Sequence, residues 1–230
     1  MTTTINPDEI EKFSKIAHEW WDETGKFKPL HKFNPTRIEY IKAQVGDLTG
    51  KTLLDVGCGG GLLSEPMARL GATVTGIDAA EKNIKTASVH AEEQNLSINY
   101  VHTSIEEHHQ TYDIILNMEV VEHVENPALF MQTCADRLNP GGMMIVATLN
   151  RTLKSYALAI VGAEYILRWL PRGTHDWKKF LKPAEVAEML PSLDLKDITG
   201  VSYNPLKDSW KTGQDVDVNY LMCFQKVQDA

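Results

Sequence analysis

The stretch Leu53-Leu54-Asp55-Val56-Gly57-Cys58-Gly59-Gly60-Gly61 decides the fold of this 230-residue chain. Apolar residues typical of a buried strand run directly into a turn of glycines, and a helical pattern follows over Leu62–Leu70. Glycine lets the backbone turn sharply at such a point and approach a ligand closely. The stretch therefore predicts a strand–turn–helix unit that holds a ligand at the end of its strand.

Alternating strands and helices extend outward from this turn. The strand patterns cover Thr52–Val56, Thr73–Ile77, Ile98–His102, Tyr112–Asn117 and Met143–Thr148. Helical patterns lie between them over Leu62–Leu70, Glu81–Gln94 and Pro127–Leu138, with ends marked by Gly71 and by Asn139-Pro140-Gly141. Repeated βα units predict an α/β fold, with a parallel, doubly wound sheet and helices on both of its faces.

The C-terminal part departs from this alternation. Two β-rich runs, Asp197–Tyr203 and Val216–Lys226, predict a terminal antiparallel pair and bring the mostly parallel sheet to seven strands. The segment 150–193 before the pair is long for one connection, and long connections are usually functional. We therefore expect a helical insertion after the fifth strand that serves the substrate or a membrane.

The N-terminal part is predicted to be helical. Residues Pro7–Trp21 carry apolar side chains at the spacing of an amphipathic helix. Asn34 and Pro35 read as the N-cap and first residue of a second helix that runs to about Val45. We expect a helical extension over 1–46 within a single domain of residues 1–230.

Composition excludes several classes of protein. The net charge of −8 argues against a phosphate backbone as the main partner, so no nucleic acid is expected. The three cysteines are odd in number and no pair has C-x-x-C spacing, which predicts neither a disulfide framework nor a structural zinc site. With no targeting signal or apolar run long enough to span a bilayer, the expected location is the cytoplasm.

The glycine turn also indicates which kind of cofactor it holds. Asp78 ends the second strand, 23 residues after Asp55, where a carboxylate can accept hydrogen bonds from ribose hydroxyls. The dinucleotide pattern G-x-G-x-x-G fails, because Leu62 or Ser64 stands where its last glycine is required. Asp55 just before the turn would repel a pyrophosphate, whereas a ligand with an ammonium and a sulfonium suits it. A turn without ligand and an NAD-type ligand remain the alternatives.

The run D-V-G-C-G-G-G, with an acid ending the next strand, resembles the class I S-adenosylmethionine-dependent methyltransferases. The resemblance implies a Rossmann-like fold and S-adenosylmethionine as cofactor. It also implies that Gly57 and Gly59 contact the methionine end of the cofactor, beside Asp55, and that Asp78 holds the ribose.

Further stretches, spread over nearly the whole chain, resemble one family of these enzymes, the ubiquinone-biosynthesis O-methyltransferases. They are much more specific than the glycine turn, which many unrelated methyltransferases share. The stretches are W-W-D-E at Trp20–Glu23, F-K-P-L-H at Phe27–His31, N-P-T-R at Asn34–Arg37, M-E-V-V-E-H at Met118–His123, T-L-N-R at Thr148–Arg151, V-G-A-E-Y-I-L-R at Val161–Arg168, G-T-H-D at Gly173–Asp176 and D-V-N-Y at Asp217–Tyr220.

This resemblance implies an enzyme that methylates ring hydroxyls of polyprenylated phenols and quinols, at both O-methylation steps of ubiquinone synthesis. It carries two more cofactor contacts onto this chain. Arg37, in the first turn of the helix expected from Pro35, would pair with the carboxylate of the cofactor. Met118 would lie against the adenine or the sulfonium. A surface arginine and a core methionine are the plain alternatives.

Glu119, Glu122 and His123 form the best chemical constellation. If a helical turn follows the fourth strand, positions i, i+3 and i+4 share one face, at the edge where ligands bind. The resemblance implies that the three residues hold a divalent metal, Mg²⁺, which would lower the pKa of a bound hydroxyl. A general base at His123 and a purely structural role stay open. His175, beside Asp176, is a further candidate base, or an exposed loop histidine.

The insertion predicts a membrane contact. Apolar and aromatic residues crowd Leu153–Leu170, and five basic residues against one acid lie from Arg168 to Lys182. Such a surface over 153–182 suits anionic lipid and a membrane-dissolved substrate, so we expect it to cap the site and to lie peripherally at the inner face of the cytoplasmic membrane. A lid without membrane contact and an extra core helix are the alternatives.

Two rival functions remain at this point. One is a methyltransferase for another small phenolic metabolite. The other is a non-catalytic cofactor-binding subunit that scaffolds a complex of ubiquinone synthesis. The flanking stretches argue against the first, and the intact Glu119, Glu122 and His123 argue against the second.

Overall fold

A computed structural model describes residues 3–158, 176–205 and 207–227. They form one eight-stranded sheet in the order β3-β2-β1-β4-β5-β8-β6-β7. The strands are β1 (Thr52–Val56), β2 (Thr73–Asp78), β3 (Asn99–His102), β4 (Tyr112–Met118), β5 (Leu138–Leu149), β6 (Leu193–Asn204), β7 (Ser209–Gly213) and β8 (Asn219–Lys226).

The direction of the strands fixes where a ligand can bind. Strands β1 to β5 pair in parallel, and β8 pairs antiparallel with both β5 and β6. The strand order reverses between β1 and β4, whose carboxyl ends meet in register at Val56 and Asn117. In open α/β sheets ligands bind in the crevice at such a reversal.

Helices cover both faces of the sheet, as expected. Among the described residues these helices are α1 (Pro7–Ile16), α2 (Lys28–Val45), α3 (Ser64–Arg69), α4 (Glu81–Glu93), α5 (Pro127–Asp136), α6 (Leu153–Ser155) and α7 (Pro183–Glu188). One core cluster packs α2 and α3 on the sheet through fully buried Ile41 and Met67. A second packs α5 and α7 through Met131 and Val186. The mostly parallel sheet with antiparallel C-terminal strands is thereby confirmed.

Three predictions about the elements are wrong. The fifth strand begins at Leu138 instead of Met143, so Asn139-Pro140-Gly141 lies within it. The sheet has eight strands instead of seven, because Ser209–Gly213 forms an extra edge strand that pairs with β6. This strand is short, polar and mostly exposed, so no apolar alternation marks it. The second helix begins at Lys28 instead of Pro35, so Pro35 lies inside it.

The early start of α2 has a visible cause. Pro29 occupies the first turn, where the missing N–H of proline does no harm. Asn34 does not cap the helix: its Nδ2 donates to the carbonyl of Leu62 at 2.7 Å, and its Oδ1 accepts from Arg37 at 3.0 Å. Arg37 is therefore in the middle of α2 instead of its first turn, and it is buried.

The insertion is described only at its two ends. Its outward end holds α6, and its returning end holds a 3₁₀ turn at Trp177–Lys179 followed by α7. The central part of the predicted membrane surface and His175 lie outside the described residues. In the parts of the chain that are described, the helices are all too short or too polar to cross a bilayer.

Candidate active site

A cavity of about 670 Å³ opens at the carboxyl ends of β1, β2 and β4, beneath α1. Nearly all of the residues that the sequence singled out line it: Arg37, Asp55, Gly57, Gly59, Asp78, Met118, Glu119, Glu122 and His123. Cavities of roughly 300–1,000 Å³ are typical of small-molecule sites. His175 lies outside the described residues, so its predicted role stays a prediction.

The glycine turn forms one wall of the cavity through its backbone. Gly57 and Gly59 have φ angles of +67° and +55°, and residues that carry a Cβ rarely adopt such positive values. A Cβ on Gly59 would lie 2.3 Å from the ring of Trp20, and one on Gly57 would lie 2.6 Å from Val120. Glycine is therefore required here for conformation and for space.

Asp78 is held firmly at the end of β2. Its carboxylate accepts the N–H of Gly59 at 2.9 Å and the N–H of Ala80 at 2.7 Å, and the amide of Asn83 lies 3.3 Å from both of its oxygens. Burial raises the pKa of Asp78 despite these bonds. An oriented carboxylate at this edge is suited to ribose hydroxyls.

Asp55 ends up within the core, 3% exposed. The hydroxyl of Ser64 donates to its Oδ2 at 2.5 Å. Burial raises the pKa of Asp55 to about 6, against the lowering effects of Ser64 and Arg37. Such a carboxylate stabilises a cation placed beside it, because its own charge is poorly solvated.

Arg37 is the buried cation of the cavity. Its Nη2 donates to Asn34, whereas its Nε is buried with no partner among the described residues. Burial lowers the pKa of Arg37, and Glu119 and Asp55 oppose that effect. A carboxylate of a ligand would complete the hydrogen bonds of this guanidinium.

Two carboxylates meet just after β4. Glu119 has a left-handed backbone, with φ of +60°, and Glu122 accepts the hydroxyl of Thr148 at 2.8 Å. Burial and the neighbouring Glu122 raise the pKa of Glu119 to about 8, while Arg37 lowers it. Oε1 of each glutamate is buried with no partner in the described structure. A cation or a hydroxyl donor would satisfy these oxygens.

His123 does not join this pair. Its Nδ1 lies 2.9 Å from Oε2 of Glu9 on α1, and this bond lowers the pKa of Glu9 to about 2. The expected shared face is absent, because the 3₁₀ turn begins at Val121 and Glu119 precedes it. Over the described ranges no group of three or more His, Cys, Asp or Glu side chains could hold a metal. The predicted three-residue metal site is not assembled here.

Two tryptophans that were not predicted as site residues cover the glycine turn. Trp20 stacks on Phe27 with ring centroids 3.8 Å apart, and its Nε1 donates to Asn83 at 2.9 Å. Trp21 donates to the carbonyl of Gly60 at 2.9 Å and stacks on His90. The W-W-D-E stretch was the available signal, but it was used for resemblance alone.

The charges of the cavity favour a cationic ligand. Acidic residues outnumber basic ones in its lining, and next to the strand ends the carboxyl groups of Asp55, Asp78, Glu119 and Glu122 lie around the buried guanidinium of Arg37. Burial raises the pKa of Asp55, Asp78 and Glu119, because the charged form of each carboxyl is poorly solvated there, and a nearby cation would favour the ionised forms. A ligand with a sulfonium, an ammonium and one carboxylate matches both signs of charge.

Comparison with known proteins agrees with this reading of the cavity. A profile described as a methyltransferase domain matches residues 30–199. The ubiquinone biosynthesis O-methyltransferase of Parvibaculum lavamentivorans is 54% identical over an alignment of 243 positions, which covers 99% of this chain and 96% of that protein. The enzyme of the same name from Bartonella bacilliformis is 53% identical and covers 98% of each chain.

Solved structures share the fold at much lower identity. Magnesium protoporphyrin IX methyltransferase from Synechocystis, with bound SAH, has a TM-score of 0.62 at 18% identity, covering 98% of this chain and 90% of that one. An N-methyltransferase from Bradyrhizobium japonicum, in complex with S-adenosylhomocysteine, has a TM-score of 0.63 at 17% identity, covering 95% and 97%. At such identities the likeness establishes a class I methyltransferase fold.

Proposed function

This chain belongs to the ubiquinone biosynthesis O-methyltransferase family, and from that premise we propose that it transfers methyl from S-adenosylmethionine to ring hydroxyls of polyprenylated ubiquinone precursors. The acceptors are the polyprenyl-hydroxyphenol and the demethylubiquinol of the two O-methylation steps. The observation that carries the proposal is the cavity of net negative charge at the strand reversal, lined by the glycine turn.

Each part of the cofactor has a matching group in the cavity. Arg37 pairs with the carboxylate, the backbone of Gly57 and Gly59 follows the methionine chain, and Asp55 offsets the ammonium. Asp78 receives the ribose hydroxyls. Met118 lines the cavity at the end of β4, where a thioether packs well against a flat ring or a sulfonium.

The acceptor enters from the side covered by α1. Apolar side chains line this part of the cavity: Ile10, Phe13, Ile16, Val124 and Phe130. They suit an aromatic ring and the first isoprene unit of its chain. Glu119 and Glu122 stand beside the same space and can accept a hydrogen bond from a ring hydroxyl.

The reaction is an in-line displacement at carbon. The hydroxyl proton passes to a base, and the oxygen lone pair forms a bond to the methyl carbon. The bond from that carbon to sulfur breaks, and its electrons neutralise the sulfonium, which leaves S-adenosylhomocysteine. Among the lining residues His123 is the base that best fits this step, and the protein supplies orientation, which can be worth many orders of magnitude in rate.

The test is turnover with labelled S-adenosylmethionine and short-prenyl catechols and quinols. We expect label in the methylated ring and a 1:1 complex with the cofactor in calorimetry. Transfer to simple phenols alone would point to another small metabolite. Cofactor binding without transfer to any phenol would point to a scaffold subunit.

A divalent cation is a finer part of the proposal. Glu119 and Glu122 each have one oxygen that lacks a partner in the described part of the chain. This pair of oxygens supports Mg²⁺, which prefers oxygen ligands. His123 is engaged by Glu9 and is left out of this set. When bound, Mg²⁺ would stabilise the acceptor oxyanion. Paramagnetic Mn²⁺ should bind the wild type and bind the Glu122→Gln variant much more weakly; equal binding to both would remove the site.

The membrane surface is proposed on the described ends of the insertion. Leu153, Tyr156 and Leu158 are 82%, 47% and 55% exposed, and Lys178 and Lys182 are also exposed. Apolar side chains beside basic ones suit an anionic bilayer surface. Flotation with anionic vesicles should recover the protein, and neutral vesicles should not. Failure with both would contradict the proposal. A complex with other enzymes of ubiquinone synthesis stays a prediction.

A further inference from the structure

The first described residues lie as a strap across the mouth of the cavity. Thr4 donates its N–H to Oε1 of Glu106 at 2.8 Å, and its carbonyl accepts the N–H of Glu125 at 2.8 Å. Asn6 caps α1 and also bonds the side chain of Glu125. These contacts place α1 directly over the turn that follows β4.

Two side chains of α1, which follows this strap, contact the imidazole of His123. Oε2 of Glu9 lies 2.9 Å from Nδ1, and the side chains of Glu9 and His123 are only 20% and 15% exposed. The ring of Phe13, one helical turn further on, meets the imidazole edge to face, with centroids 5.3 Å apart at 88°. Both contacts fix the plane of the ring.

The bond to Glu9 also decides which nitrogen is free to react. A carboxylate accepts from Nδ1–H, so in the neutral imidazole the lone pair is on Nε2. His123 lines the cavity, and Nε2 is the ring nitrogen left to a ligand there. A carboxylate behind a functional histidine commonly sets its tautomer and orientation in this way.

We infer that Glu9 is a positioning residue: it holds His123 in the Nδ1–H tautomer with Nε2 directed at the acceptor hydroxyl. The inference rests on the proposed O-methyl transfer. That orientation lets the acceptor hydroxyl donate a hydrogen bond to Nε2 while its oxygen faces the methyl carbon of the cofactor.

Because Glu9 belongs to α1, the base is oriented only while the strap is seated over the cavity. The same element therefore covers the acceptor side of the cavity and orients the imidazole of His123. The turn that carries His123 could not do this alone, since its neighbours Glu119 and Glu122 interact with each other and with Thr148 instead.

The experiment uses the full chain with Glu9→Gln, and with Glu11→Gln as the matched control. Glu11 is on the same helix, is 66% exposed and pairs only with Lys15 among the described contacts. Three quantities are measured: kcat and KM with a short-prenyl catechol, the Kd of S-adenosylmethionine, and the His123 tautomer from imidazole ¹⁵N shifts. The His123→Asn variant assigns those shifts.

For Glu9→Gln we expect kcat to fall about 10- to 100-fold, as for other outer partners of functional histidines, with Kd within about twofold. The ¹⁵N spectrum should lose the Nδ1–H preference, and in the His123→Asn background the same change should cost nothing further. Glu11→Gln should behave as wild type.

Three results would overturn the inference. They are an unchanged kcat, an unchanged tautomer, or a loss confined to the Kd of the cofactor, which would make Glu9 only an anchor of the strap. If the wild type shows the tautomer but transfers no methyl to any phenol, the proposed function fails while the Glu9–His123 pairing stands.

Discussion

The glycine turn after β1 and the turn after β4 lie side by side, yet they are built differently. The first is defined by backbone: its φ angles require glycine, and its N–H groups bond Ile77 and Asp78. The second is defined by side chains, and Glu119 and Glu122 each keep a buried oxygen with no partner among the residues that the structure describes. A ligand that contacts both turns would therefore fit the fixed backbone shape of the glycine turn and would bind the free carboxyl oxygens of the turn after β4.

The difference matters for the kind of damage a substitution does. A change in the backbone-built turn should remove cofactor affinity. A change in the side-chain-built turn should spare affinity and reduce the rate of the chemical step, because its groups act on the acceptor.

The largest effect is expected for Gly59→Ala. The added Cβ meets Trp20 at 2.3 Å and sits at φ +55°, so the turn must move. We expect calorimetry to show S-adenosylmethionine binding weakened by more than ~100-fold, or ~2.7 kcal/mol.

Gly50→Ala is the matched control for this substitution. Gly50 also has positive φ, +74°, but no atom of the described residues lies within 4 Å of its added Cβ. It should cost about 1 kcal/mol of stability and leave affinity unchanged. Equal loss of affinity in both variants would show that backbone strain, not the shape of the turn, controls binding.

The second effect belongs to the other turn. Glu122→Gln keeps an acceptor for the hydroxyl of Thr148 but removes the charge next to Glu119. We expect kcat to fall about 100-fold with the Kd of S-adenosylmethionine within about threefold, as for loss of a group that orients or deprotonates an acceptor. A matching fall in cofactor affinity would erase the distinction between the two turns.

Asp55→Asn should separate affinity from stability. The asparagine oxygen can still accept from Ser64, but the buried charge is gone. We expect about tenfold weaker binding of the cationic cofactor, or ~1.4 kcal/mol. The free energy of unfolding of the unliganded protein at pH 7.5 should rise by about 1–3 kcal/mol, since the raised pKa reflects a penalty for the ionised form.

The pH dependence of this gain follows from the direction of the shift. The folded pKa of Asp55 is about 6, above the ordinary value of 3.8. The folded state thus binds more protons than the unfolded state between these values, and its stability falls as pH rises through that window. The advantage of Asp55→Asn should be complete above pH 6 and vanish toward pH 4 in urea unfolding.

Asp113→Asn is the control of opposite sign. Hydrogen bonds, first from Asn139 and then from the backbone of Thr52, lower the pKa of Asp113. Its stabilisation is present at neutral pH and is lost as pH falls through the folded pKa, so Asp113→Asn should destabilise at pH 7.5. If both variants shift stability in the same direction, burial does not govern Asp55.

The same contrast explains what the sequence could predict. Thr52–Val56 and the glycine turn were predicted at their observed positions, because an apolar strand followed by glycines is a local pattern. The predicted start of α2 was wrong because the side chain of Asn34 forms hydrogen bonds with Leu62 and Arg37 instead of capping the helix. The strand β7 was missed because its side chains are mostly exposed.

The acceptor side could be predicted only as a list of residues. Glu119, Glu122 and His123 were found, but not their arrangement, which depends on a partner 114 residues from His123 in the chain. Spacing along a helix gives no warning that Glu119 is left-handed or that Glu9 engages the imidazole. The resemblance predicts which residues matter, and tertiary contacts decide what each of them touches.

The smallest effect is expected for a hydrogen bond that anchors the end of the insertion to the sheet, on the acceptor side of the cavity. Tyr220 on β8 is buried, and its hydroxyl donates at 2.8 Å to the carbonyl of Leu181, where the insertion returns to the sheet. Tyr220→Phe leaves that carbonyl without this donor, which should lower the free energy of unfolding by about 1–2 kcal/mol.

Because the bond anchors the insertion and not the glycine turn, Tyr220→Phe should raise the KM of the acceptor and leave the Kd of S-adenosylmethionine unchanged. Tyr203→Phe removes an exposed hydroxyl that bonds Asp208, and it should change stability by less than about 0.5 kcal/mol. Suppose instead that Tyr220→Phe raised the Kd of S-adenosylmethionine and left the KM of the acceptor unchanged. The bond from Tyr220 to Leu181 would then support the cofactor side of the cavity, and the two turns would not be structurally independent.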